Sequence, residues 1–278
     1  MRVLVAGASG QLAHAVRRIW QDHELILPEE SVLDLGKREA IFSVVAEVRP
    51  DVLINCAAFT QVDRCESEAD LARLINATAV GWLAEACEAQ HALLIQISTD
   101  YVFDGTGTRP YREDDPTNPV SVYGRTKLEG EWQAATCTRH LIARTSWLYD
   151  AWGKNFLNTM VNAAAQGRSL RVVDDQRGAP TTCRALARQL KVAAEEGWQG
   201  LMHATCQGET TWHGFAQAIF EAKGMTVDLS PCTTADYPTP ATRPAYSVLD
   251  GRRRKSLGTD LMPDWREALQ DAVDHPEL

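Results

Sequence analysis

A phenol and an ammonium four residues apart, in Tyr123-Gly124-Arg125-Thr126-Lys127, are well suited to move a proton. On a helix, positions i and i+4 share one face about one turn apart. A free tyrosine ionises near ~10, too high for ready exchange at neutral pH, and a nearby cation favours the phenolate. Lys127 is therefore expected to lower the pKa of Tyr123. Upstream, Ser98-Thr99-Asp100 follows the apolar run Leu93-Leu94-Ile95-Gln96-Ile97. Thr99 then sits at the C-terminal end of a predicted strand, where open α/β sheets bind ligands. Pro116 and Pro119 interrupt the chain before a helix that can carry Tyr123 back over that crevice. Reduction of a ketone by hydride leaves negative charge on its oxygen, which needs hydrogen-bond donors and then a proton. Tyr123 would give the proton, Thr99 would hydrogen-bond the oxygen, and Lys127 would hold the ribose of a nicotinamide cofactor that carries the hydride. Asp100 fits either a substrate contact or an ordinary turn.

Those residues need a dinucleotide beside them, and the start of the chain offers a place for one. Gly7-Ala8-Ser9-Gly10-Gln11-Leu12-Ala13 lies where the strand-like Val3-Leu4-Val5 should turn into a helix. Glycines there permit a tight turn and close approach of a diphosphate to the helix N-terminus, where free amides and the dipole attract anions. Ala13 replaces a third glycine at the cost of one methyl group. Glu29 and Glu30, after the second predicted strand, suit a ribose hydroxyl and hence NADH; Arg17 and Arg18 could instead meet the extra phosphate of NADPH. The choice between NADH and NADPH stays open.

Short apolar runs alternate with amphipathic stretches, which predicts βαβ units and an α/β fold of the Rossmann type, a doubly wound parallel sheet. Strands are expected near Val3-Val5, Leu25-Leu27, Val52-Asn55, Leu93-Ile97 and Leu141-Ala143, with Arg171-Val173 as a further candidate. Helices are expected over Gln11-Gln21, Arg38-Val48, Leu71-Ala89, Ser121-Ala135, Asn155-Ala165, Arg184-Glu196, Thr211-Ala222 and Pro263-Val273. Beyond about residue 150 the pattern loosens and passes through the Pro-rich Tyr237-Pro238-Thr239-Pro240-Ala241-Thr242-Arg243-Pro244. We expect residues 1–150 to form mainly a dinucleotide-binding domain. Residues 151–278 should form mainly a smaller C-terminal substrate-binding lobe, with some segments returning to the first domain.

The 278 residues, 45% of them hydrophobic, can bury a full core. A net charge of −9 argues against nucleic acid as a partner, because phosphate contacts need a basic face. Seven scattered cysteines without a C-x-x-C pair predict neither a disulfide framework nor a zinc site, and no metal is expected. No basic leader or long apolar stretch follows Met1, so the expectation is a cytoplasmic protein without a membrane partner.

A longer series of segments resembles the dTDP-4-dehydrorhamnose reductase family of the extended short-chain dehydrogenase/reductases. It runs through Gly10-Gln11-Leu12, Ile54-Asn55-Cys56-Ala57-Ala58-Phe59-Thr60-Gln61-Val62-Asp63, Leu74-Ile75-Asn76-Ala77-Thr78, and Ser98-Thr99-Asp100-Tyr101-Val102-Phe103-Asp104-Gly105. It continues in Val122-Tyr123-Gly124-Arg125-Thr126-Lys127, Arg144-Thr145-Ser146-Trp147, Asp175-Gln176-Arg177-Gly178-Ala179-Pro180-Thr181 and Arg243-Pro244. The resemblance implies NAD(P)H-dependent reduction of the 4-keto group of dTDP-4-dehydro-L-rhamnose to give dTDP-L-rhamnose. It implies dinucleotide contacts at Gly10, Gln11, Leu12, Glu29, Asp34, Leu35, Ala58, Phe59, Thr60, Tyr123 and Lys127, and substrate contacts at Thr99, Asp100 and Trp147. Arg243 could meet the substrate diphosphate or pair with a surface acid. Ala15 stands where some relatives carry an acid tied to a magnesium-bridged dimer, so a homodimer and any magnesium dependence stay open.

Two other readings share these motifs. A nucleotide-sugar dehydratase or epimerase would retain NAD, but similar dehydratases carry a Glu after Thr-Asp, and Tyr101 stands there. A non-catalytic dinucleotide-binding protein, similar to the regulatory subunit of methionine adenosyltransferase, also carries a Tyr and Lys at this spacing.

Overall fold

Six parallel strands form the centre of the molecule, and their order reverses beside the first of them. The computed structural model describes residues 1–277. The strands are β1 Arg2–Ala6, β2 Glu24–Ile26, β3 Val52–Asn55, β4 Leu93–Thr99, β5 His140–Thr145 and β6 Gly200–His203. Their order is β6-β5-β4-β3-β1-β2, with every pairing parallel. Strands covered on both faces must be apolar almost throughout, as Val52-Leu53-Ile54 and Leu93-Leu94-Ile95 are.

Alternation along each strand divides the core in two. Val3, Val5 and Ile54 face helices α1 (Gln11–Ile19) and α8 (Cys183–Glu195), burying Leu12, Val16, Trp20, Leu186 and Leu190. The Trp20 indole N–H donates to the Ala187 carbonyl at 3.0 Å, tying the two helices. On the other face Leu4 and Leu53 meet α2 (Arg38–Val48) and α5 (Ala79–Gln90) through Ile41, Val45 and Leu83. Two short helices, α3 (Val62–Ser67) and α4 (Ala69–Arg73), precede α5; α6 (Val122–Ala134) lies against β4 and α5.

A third apolar cluster, including Tyr149, Leu157, Phe215, Ile219, Trp265 and Leu269, gathers α7 (Phe156–Ala165), α9 (Trp212–Ala222) and α11 (Trp265–Asp274). The chain enters this region after β5, returns to the sheet through α8 and β6, and leaves it again. Helix α10 (Arg252–Ser256) then packs beside β6. Among the described residues no helix is long and apolar enough to cross a membrane.

Several expectations change in detail. Leu170–Val173 is a strand, but it pairs with Leu229–Cys232 away from the central sheet. The sixth place belongs to β6, whose short Gly-Leu-Met-His run carries little strand signal. The helix expected over Leu71–Ala89 is α4, a π-helical turn Leu74–Thr78 and then α5. Helices α3 and α10 were not anticipated. The π turn widens the backbone, and it carries Asn76, whose side chain accepts from the Phe59 amide at 2.8 Å and donates to its carbonyl at 3.2 Å. Helix α6 lies so close to this turn that a Cβ on Gly130 would stand 2.1 Å from the Asn76 carbonyl oxygen.

Gly130→Ala is therefore expected to force α6 off the π turn, costing about 1–3 kcal/mol. Thermal denaturation should show a Tm lower by several degrees; an unchanged Tm would mean the contact yields freely.

Candidate functional site

The C-terminal ends of the strands carry nearly all the residues singled out from sequence. Gly7 leaves β1 with a φ of 78°, the left-handed region open to glycine, and a Cβ there would lie 2.7 Å from the Ala57 nitrogen. Gly10 is the N-cap of α1 and offers no side-chain acceptor, while the first turn contains no acid. Its leading amides are thus free for an anion. Gln11 is half-buried at this end, but the Leu12 side chain is in the core, so only its amide can serve a ligand.

Glu29 is exposed just beyond β2. Asp34 accepts from the Gly36 amide at 2.9 Å and pairs with Lys37 at 2.9 Å, a turn-forming use of its carboxylate, and Leu35 is buried. Ala58, Phe59 and Thr60 follow β3, with Phe59 held on both backbone groups by Asn76.

At the end of β4 the Thr99 hydroxyl donates to Asp100 Oδ1 at 2.9 Å and accepts from the Tyr101 amide at 3.2 Å. Burial raises the Asp100 pKa to about 6, opposed first by the nearby Ser247 hydroxyl and then by Thr99; its Oδ2 makes no hydrogen bond within 3.5 Å. Ser121 caps α6 by accepting from the Gly124 amide at 3.1 Å. That start fixes Tyr123 against the β4 end, where its ring meets Tyr101 edge-on at 5.5 Å. One turn on, the buried Lys127 Nζ donates to the Ile97 carbonyl at 2.6 Å.

The expected tuning of Tyr123 by Lys127 is not what this arrangement does. Burial is the largest influence on the Tyr123 phenol and raises its pKa; the Thr99 hydroxyl works against that shift, and Lys127 is not among the groups that move it. Burial lowers Lys127 itself to about 8, partly countered by Glu131. The cation that should favour a phenolate is held by a backbone carbonyl instead.

Trp147, half-buried after β5, has a φ of 47° and stacks on Trp212 at 3.6 Å and 8° between planes. A left-handed conformation is unusual for so large a residue. Arg243 is held by Asp63 through two hydrogen bonds of 2.8 and 2.9 Å and also donates to the Ala241 carbonyl. Sequence reasoning missed Asn76, Asp63 and Asn155, whose amide donates to Gln11 Oε1 at 2.8 Å. Only the i+4 spacing from Lys127 could have pointed to Glu131.

A family model described as the RmlD substrate binding domain matches residues 1–277. The dTDP-4-dehydrorhamnose reductase of Burkholderia thailandensis is 40% identical over 288 aligned residues, covering 97% of both chains. The chain belongs to the dTDP-4-dehydrorhamnose reductase family. A Streptomyces antibioticus protein named as a probable dTDP-4,6-dihydroxy-2-methyloxan-3-one 4-ketoreductase is also 40% identical, covering 98% of this chain and 94% of that one. The structure of a dTDP-4-dehydrorhamnose reductase from Bacillus anthracis in complex with NADP superposes with a TM-score of 0.96 at 33% identity, covering 99% of each chain.

The free amides of α1 and the Gly7 turn of this dTDP-4-dehydrorhamnose reductase family member fit the diphosphate of a dinucleotide, since they combine positive backbone charge with room for close approach. Gly7→Ala adds a side chain in a left-handed turn, at a cost of about 1–2 kcal/mol before the contact with Ala57 is counted. We expect dinucleotide Kd, read from the fluorescence of bound NADH, to rise about tenfold or more in a variant whose circular dichroism is unchanged.

Proposed function

We propose that this protein uses NADPH or NADH to reduce the 4-keto group of dTDP-4-dehydro-L-rhamnose, giving dTDP-L-rhamnose. The observation that carries the reading is the meeting of Tyr123, Thr99 and Lys127 at the strand ends that also present the free N-terminus of α1. Bound reduced nicotinamide supplies the hydride. Gly7, Gly10 and the Gln11 and Leu12 amides would hold its diphosphate. Lys127 would hold the adjoining ribose, with Ala58, Phe59 and Thr60 as the backbone wall. The ribose and base farther along would meet the segment of Glu29, Asp34 and Leu35.

Tyr123 acts as the acid. The phenol carries its proton at neutral pH, as a donor must, and the Thr99 hydroxyl works against the rise that burial imposes on its pKa. As hydride reaches the carbonyl carbon, the oxygen takes negative charge, and the phenolic proton passes to it. Thr99 shares that oxygen. Its single proton is donated to Asp100, so serving the ketone requires the hydroxyl to turn from Asp100 toward the substrate. The free Oδ2 of Asp100 can then accept from a sugar hydroxyl. Trp147, backed by Trp212, forms an apolar wall for the sugar. Arg243, oriented by its Asp63 pair, would meet the substrate diphosphate with its remaining donors.

Supplying the purified protein with dTDP-4-dehydro-L-rhamnose and each reduced cofactor should oxidise one cofactor per dTDP-L-rhamnose formed. No oxidation would overturn the reading, and turnover without net cofactor use would move the protein to the epimerases. A ketosugar of the kind named for the Streptomyces antibioticus relative is the comparison substrate; a higher kcat/KM on it would change the sugar but not the chemistry.

Tyr123→Phe should retain dinucleotide binding while kcat falls by about 10²–10⁴, the usual worth of a positioned proton donor. Undiminished turnover would remove Tyr123 from its role. Because Lys127 must stay cationic to hold the ribose, kcat/KM should decline above about pH 8 as the free enzyme loses that proton. A plateau continuing well past that pH would detach activity from Lys127.

A further inference from the structure

Beneath Lys127 lies a charged cluster entirely out of solvent. Glu131, one turn further along α6, accepts from Arg144 Nε at 2.8 Å through Oε1 and from Arg144 Nη2 at 2.7 Å through Oε2. Its Oε1 also accepts from the Ser98 hydroxyl at 2.5 Å. Glu131, Arg144 and Ser98 are each at most 4% exposed. Ser98 and Arg144 are register partners on β4 and β5, so one carboxylate fastens α6 to two neighbouring strands at once. The guanidinium is further enclosed by the Phe103 ring, 5.1 Å away, and by His203.

Ser98 stands between two residues of the proposed reaction: the Ile97 carbonyl holds Lys127, and Thr99 is the expected partner of the keto oxygen. A buried ion pair contributes little net stability against an apolar replacement of the same shape. A helix docked on a strand by apolar contacts alone could serve packing equally well. What an ion pair adds is fixed register and fixed charge.

We propose that Glu131, held by Arg144, is a positioning residue for the reduction: through Ser98 it sets the Ile97 carbonyl and Thr99 hydroxyl against α6, and it places a carboxylate one turn along the helix from the Lys127 ammonium. The inference rests on the functional reading given above. The titratable and charged groups on the elements around Lys127 are Tyr123, Arg125, Glu129 and Glu131 of α6, Asp100 and Tyr101 after β4, His140 and Arg144 of β5, Asp63, Arg64, Cys65 and Glu66 of α3, Asp70 and Arg73 of α4, and Glu85, Cys87 and Glu88 of α5. Arg73 of α4 is paired with Glu129 at 2.9 Å on the outer side. After burial, Glu131 is the group that moves Lys127, and it raises the ammonium's pKa. Taking that charge away lets Lys127 lose its proton at lower pH.

Three variants separate geometry from charge. Ser98→Ala removes the link to β4 and keeps the carboxylate: kcat should fall about ten- to hundredfold with dinucleotide Kd nearly unchanged and the alkaline limb of kcat/KM in place. Ser98→Thr, which restores a hydroxyl, should recover much of that loss. Glu131→Gln should move the alkaline limb to lower pH. Should a lone buried Arg144 prevent folding, the double variant Glu131→Gln/Arg144→Met removes both charges, and the limb should move in the same direction but less far, because the carboxylate lies on the same helix as Lys127 and the guanidinium on β5. The Lys127 titration is read directly from the ¹³Cε resonance of labelled lysine, which needs no turnover. A wild-type protein that leaves the ketosugar untouched would end the functional reading, and the ¹³C titration would still decide the role of Glu131 toward Lys127. A Lys127 titration unmoved by loss of the carboxylate, or wild-type kcat in folded Ser98→Ala, overturns the proposal.

Discussion

The contact between the Lys127 ammonium and the Ile97 carbonyl joins a helix to the end of a strand, and the proposed chemistry is arranged around that junction. Ile97 cannot offer the carbonyl to an arbitrary direction, because the same oxygen also accepts from the Gln96 amide at 2.8 Å, and Gln96 in turn accepts from Asn55 at 2.8 Å. A line of buried amides therefore runs from β3 through β4 to α6. Each member is satisfied by the next, which is the condition under which buried polar groups stabilise rather than penalise a fold. One turn before Lys127 on the same helix, the Tyr123 ring meets Tyr101 beyond the end of β4.

Burial sets the protonation states there more strongly than pairing does. An exposed tyrosine beside a lysine would be expected to titrate downward, and that was the reading of the spacing alone. Within the crevice, desolvation disfavours both the phenolate and the ammonium. The phenol keeps its proton and stays neutral, and the ammonium becomes the group that titrates nearer neutrality. The spacing alone suggests a different cause: it leaves out the desolvation that acts on both residues.

The βαβ pattern was legible because strands sealed on both faces must be apolar and helices between them must be amphipathic; α2 and β3 have the expected limits. β6 was missed because Gly200-Leu201-Met202-His203 is short and ends in a polar residue, while its place is secured by pairing with β5 rather than by local preference. The π turn at Asn76 leaves no mark in hydrophobic periodicity. Tyr123, Lys127 and Thr99 could be connected because strand end and helix start are coded locally. The Asp63 pair of Arg243 could not, since it joins segments far apart in the chain and its formation depends on the path of the Pro-rich passage between them. The roles of the individual dinucleotide contacts rest on resemblance and on the free end of α1.

The chain visits the α7, α9 and α11 cluster, returns to complete the sheet with α8 and β6, and then leaves again. Such interlacing means that no single peptide bond divides the molecule into two self-sufficient parts. A protease nick between the regions would leave each fragment missing pieces of its own core, held in place only by the other. Relative movement of the two regions must be shared among several connecting strands of backbone acting together, which favours small sliding displacements over the wide swing that a lone tether would permit.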